Sequence, residues 1–145
     1  MNSIEEVIKE YGYLNFKTIS ENWGEYILED KTIFRMKIIP MKILFEGAGF
    51  AVNSSNCLVT FSPKNLKGTP STGQINKANI KNSFDVSDLK FEAKNEPWNE
   101  YELDDGTKVF LKMIPLQISR TKFFDMYGDP IYWVNHQVLS KKYPI

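Results

Sequence analysis

Apolar and polar positions alternate along two stretches of this chain, and the two stretches are nearly the same. Residues 32–38 place Phe34, Met36 and Ile38 on one face of an extended strand; residues 107–113 place Val109, Leu111 and Met113 on the equivalent face. A period of two is the signature of a strand with one side in a core. Residues 23–43 (WGEYILEDKTIFRMKIIPMKI) and 98–118 (WNEYELDDGTKVFLKMIPLQI) align without a gap at an offset of 75, identical at 10 of 21 positions. Average residue usage predicts about one or two matches by chance. Phe16/Phe91 and Glu21/Glu96 extend the match upstream. Repeated units of this kind govern how a fold is read, and here they predict an internal duplication.

Each copy predicts a hairpin. A two-residue loop at Asp105-Gly106 would turn Lys108 and Lys112 onto the apolar face. A three-residue loop, Asp104-Asp105-Gly106 with Gly106 in the left-handed region, pairs Leu103 with Thr107 and Tyr101 with Val109, and parity then agrees on both strands. This register sets Glu102 opposite Lys108 where copy one has Ile27 opposite Ile33, an ion pair exchanged for an apolar pair. Glu25 faces Arg35, Trp23 faces Lys37, and Trp98 faces Lys112. Pro40 and Pro115 lack a ladder donor and predict a bend or an edge between two strands. Beyond them the copies diverge: the first continues as strand through residues 49–52 and 57–61, the second through a turn at residues 127–130 and a strand at residues 131–134. A capping box at Ser3-Ile4-Glu5-Glu6 predicts one short N-terminal helix.

Residues 62–82, rich in Pro, Gly, Ser and Thr, read as an exposed, mobile loop. Each block with its following strands is about 40 residues, short for an independent core. The expected architecture is therefore all-β, a pseudo-twofold β-barrel or sandwich in one domain spanning residues 1–145. Its two related halves, 1–62 and 83–145, are joined by a polar loop at 63–82. Tandem barrels on a linker are the alternative.

Composition narrows the class. The chain has 145 residues, 42% hydrophobic and 25% charged, with 18 basic and 18 acidic side chains. These are ordinary globular values. No apolar run approaches the roughly 18 to 20 residues of a membrane helix, and the N-terminus has no secretory pattern. One cysteine, Cys57, forbids an internal disulfide and fits a reducing, cytoplasmic setting. The neutrality is a cancellation: net charge runs −5 over residues 1–30, +7 over 31–82, −6 over 83–105 and +4 over 106–145. Paired acidic and basic strands would produce such blocks, and so would a basic binding patch.

Catalytic signals are sparse, which points away from an enzyme. His136 and Cys57 are the sole histidine and cysteine, too few for a usual zinc site, and no third group orients them as a dyad. Gly68 to Gly73 has the glycine spacing of a P-loop, but Gln74-Ile75 stand where Lys and Ser/Thr must follow. No catalytic residue, metal ligand or cofactor is assigned.

What remains is binding. Trp23, Ile27 and Ile33 would form an apolar patch on the first hairpin where the second carries charge, and an exposed patch of that kind calls for a cover. The leading expectation is a non-enzymatic binding or assembly module that self-associates, as a homo-oligomer, or holds a protein partner. A barrel binding single-stranded nucleic acid is the first alternative, using Lys37, Lys112, Arg120 and Lys122 beside Trp23 and Trp98. An enzyme with a carboxylate-based site is the second.

Overall fold

The computed structural model describes residues 13–46, 49–71 and 80–144; the N-terminal helix expected from the capping box lies outside them. Among these residues ten strands form two antiparallel sheets. The first joins β1 (Tyr13–Leu14), β4 (Ile33–Glu46), β3 (Gly24–Leu28) and β7 (Phe91–Asn95), with β5 (Gly49–Phe61) on the far side of β4. The second joins β10 (Pro130–Tyr143), β9 (Lys108–Phe124), β8 (Asn99–Leu103) and β2 (Phe16–Ser20), with β6 (Phe84–Val86) also on β9. Among the described residues both sheets are open and no barrel closes, so the barrel form of the expected fold is corrected.

The predicted hairpins form as expected. Glu25 pairs with Arg35, Ile27 with Ile33, Tyr101 with Val109 and Glu102 with Lys108. Both turns span three residues, with Leu28 N–H bonded to Thr32 O at 2.9 Å and Leu103 N–H to Thr107 O at 2.8 Å. Gly106 has φ +86°, and Lys31 at the matching place has φ +73°. The alternating residues Phe34, Met36, Ile38, Val109, Leu111 and Met113 all lie in one core cluster shared by the two sheets.

Pro40 and Pro115 do not separate strands. β4 and β9 run on through them, and each proline sits at a bulge that leaves the next residue, Met41 or Leu116, without a cross-strand partner. β3 pairs only with residues 33–36 and β1 only with 43–44, so among the described residues Pro40 lies where β4 has a neighbour on one side alone. A missing N–H at a bulge in such a stretch breaks at most one ladder.

The sheets are tied by exchanged strands. β2, which precedes the first hairpin, pairs with β8 of the second; β7, which precedes the second, pairs with β3 of the first. Phe16 packs edge-on against Tyr101 at 5.8 Å, and Phe91 against Tyr26 at 6.0 Å. Asn15 O accepts from Asp104 N–H and Lys90 O from Glu29 N–H. The leading segment of each hairpin thus docks on the other, and Leu14 and Leu89 fill the shared core.

Part of the loop expected to be mobile is anchored. Residues 64–66 form a 3-10 turn, Gly68 N–H donates to Gly128 O at 2.9 Å, and Ser71 N–H donates to Phe124 O at 3.0 Å. A β-carbon at Gly68 would lie 2.5 Å from the Phe124 ring, so a side chain there requires that ring to move.

Candidate association surface

The aromatic–cation pairs read from the sequence are present, but each is closed by a carboxylate. The Lys37 ammonium lies 5.5 Å from the Trp23 ring centre, with Arg35 at 4.9 Å; Lys112 and Lys141 lie 5.4 and 4.1 Å from Trp98. Lys37 pairs with Glu21 at 3.5 Å and Lys112 with Glu96 at 3.4 Å. The same carboxylates accept from tyrosines of the opposite hairpin: Tyr101 donates to Glu21 at 2.9 Å and Tyr26 to Glu96 at 2.8 Å. Both phenols are raised well above the ordinary tyrosine range, chiefly by burial and then by the adjacent carboxylate. Both indoles are half-buried.

Arg120 is committed as well. Its guanidinium bonds Asp85 at 3.0 Å and Asp30 at 3.1 Å, and Asp30 also accepts from Tyr132 at 2.6 Å and from Thr32 N–H at 2.9 Å. Burial pushes the Asp30 carboxyl up, but the bonds from Tyr132, Thr32 and Arg120 outweigh it and hold the group below its usual range. Burial, then the Asp30 bond, pushes Tyr132 up to about 12. Lys122 is exposed on β9. Three of the four nominated cations, Lys37, Lys112 and Arg120, are therefore each paired with a carboxylate.

The apolar half of the expectation leads further. Ile27 and Ile33 are half-buried partners on the outer face, and the ladder extends them to Phe61 on β5, since Ile33 pairs with Phe61 and Arg35 with Val59. Sequence reasoning placed strand here but did not mark β5 as a site. Exposure reaches 44% at Leu58, 37% at Val59 and 51% at Phe61. Among the described residues β5 pairs with β4 alone, leaving its other edge unpaired. From Gly49 to Phe61 it carries no charged side chain.

The other long edges do carry charge. β2 has Lys17, β7 has Glu92 and Lys94, and β10 has Lys141 and Lys142. The contrast with β10 is the sharpest, because β9 pairs with it as β4 pairs with β5. Lys108 faces Tyr143 as Ile33 faces Phe61, and Phe110 faces Lys141 as Arg35 faces Val59. Charge on an edge strand is the usual protection against pairing with another chain. β5 lacks it.

A cleft of about 660 Å³ opens where β5 ends. Phe34, Leu58, Phe61, Ile131 and Tyr132 line it, with Tyr127 and the Lys67–Asp129 ion pair (2.8 Å) also contributing. The opposing wall is the turn between β9 and β10, where Asp125 accepts from Tyr127 N–H and Asp129 N–H, and Gly128 has φ +84°. This volume lies in the range of clefts that bury a small molecule or several side chains.

Compared with known proteins, the chain matches no family model, no curated protein and no solved structure.

Proposed function

We propose that the chain is a non-enzymatic β-sandwich module, one unit of two related halves, that associates with another protein chain through the β5 edge and the adjoining Ile27–Ile33–Phe61 face. The observation carrying this reading is β5 itself: a long, uncharged edge strand with Leu58, Val59 and Phe61 exposed. Adding a strand to such an edge satisfies main-chain donors and acceptors, while side chains at alternate positions supply specificity. The apolar ladder beside it would lose water in the same event, at roughly 25 cal/mol per Å².

A photoreactive phenylalanine analogue at Val59, compared in cells with the same probe at Ala93 on the charged β7 edge, tests the reading. Discrete protein adducts are expected at position 59 and not at 93. Their absence at 59, or the same adducts at both, overturns it.

A further inference from the structure

We infer that the chain which pairs with β5 is a second copy of this protein, its own β5 running antiparallel, with Ser55 of both copies at the twofold axis. This rests on the association reading above and names its partner. Three observations carry it.

The first is charge. A strand meeting itself about a twofold axis brings like residues together near the centre, where like charges repel. β5 carries none over thirteen residues, an edge of about 40 Å at the usual strand rise that is unpaired among the described residues.

The second is parity. β5 alternates without a bulge of its own: odd residues share the outer face with Ile33 and Arg35, and even residues share the inner face with Phe34 and Met36. A twofold axis normal to the sheet maps outer face onto outer face. It must therefore pass through a residue, not between two.

The third is side-chain fit. With the axis at Ser55 all thirteen residues overlap. On the inner face Leu58 meets the second copy's Val52, and Asn56 meets its Ser54. On the outer face Val59 meets its Ala51, and Phe61 covers its Gly49, an arrangement known to stabilise glycine in strands. In these pairings apolar meets apolar, polar meets polar, and a phenylalanine covers a glycine; the remaining two set Phe50 against Thr60 and Asn53 against Cys57. An axis at Asn56 sets Leu58 against Ser54 and Val59 against Asn53; an axis at Cys57 sets Leu58 against Asn56 and Val59 against Ser55. Both of these registers lose the match; an axis at Ser54 keeps Phe50 against Leu58 and Asn53 against Ser55 but carries Thr60 and Phe61 past the partner's Gly49. Continuing the sheet this way joins the two five-stranded sheets edge to edge, in an isologous and closed contact.

The full-length protein is tested in three ways. Light scattering is expected to give twice the chain mass, falling to one at low concentration. Val59→Lys, an exposed position, should hold the protein at one chain mass with unchanged circular dichroism. Single cysteines placed in turn from residue 51 to 59 in a Cys57→Ser background, oxidised with diamide, should cross-link best at Ser55→Cys and fall off to either side. A single chain mass at every concentration overturns the inference, as does a cross-linking maximum elsewhere or none. If the photoadduct at position 59 then has a different partner's mass, the association reading stands without self-pairing. If there is no adduct, both fall.

Discussion

The Tyr26 hydroxyl donates to Glu96 Oε2 at 2.8 Å, across seventy residues of sequence, while Tyr101 makes the corresponding bond to Glu21 at 2.9 Å. Each bond leaves one hairpin and ends on the segment that precedes the other. Each carboxylate also holds the lysine beneath a tryptophan. The two hairpins are thus latched in both directions by tyrosine, glutamate and lysine.

Tyr26→Phe removes one latch without opening a cavity. A hydrogen bond to a partly exposed carboxylate is worth about 1 kcal/mol, so urea unfolding should show a loss of that size with no change in slope. Tyr101→Phe should match it. A double mutant that loses more than the sum would show that the latches act together.

Alkaline pH should weaken the fold late. Tyr132 is raised to about 12 by burial and by Asp30, against an ordinary value near 10. Tyr26 and Tyr101 are shifted in the same direction. A raised folded value means the native state holds the proton more tightly. Its contribution is therefore intact below pH 10 and is lost as pH climbs through about 12. Urea midpoints should be flat from pH 7 to 9 and fall above 10, less steeply in Tyr132→Phe.

Asp30→Asn should cost about 2 kcal/mol, the scale of hydrogen bonds to a charged acceptor. It takes the charge that Arg120 and Tyr132 both address. The native carboxyl is held low, so its contribution is present above the ordinary carboxylate value and lost as pH falls through the lowered one. The variant should show a shallower acid transition in thermal melts.

Lys31 occupies a left-handed backbone position at φ +73°, where the second hairpin has Gly106 at +86°. Lys31→Gly should stabilise by up to about 1 kcal/mol, and Gly106→Lys should destabilise by a similar amount. Paired thermal melts would read both.

How far the sequence reached depends on which contacts are local. Hairpin register, turn length and the core faces of β3, β4, β8 and β9 follow from parity within about twenty residues. The exchange of β2 and β7 does not, because nothing local tells an edge segment which hairpin it joins. The trace of it was Phe16/Phe91 and Glu21/Glu96, whose matched spacing belongs to contacts on the opposite sheet. Likeness between β5 and β10 was hidden by the hairpin ahead of β10, which is seven residues longer; allowing for that, Val52 and Asn53 align with Val134 and Asn135. Trp23 and Trp98 were legible as partners of lysines, but the glutamates closing those pairs were not. The β5 edge was overlooked although its signal, thirteen residues without a charge, was in plain view.

The exchanged strands also constrain synthesis. As the chain leaves the ribosome, β3 is without its outer neighbour until residue 95 has emerged, and β2 waits for residue 103. Those two edges find their partners within eight residues of each other, but β9 and β10 follow only over residues 108–143, so the first sheet is complete before the second has its longest strands.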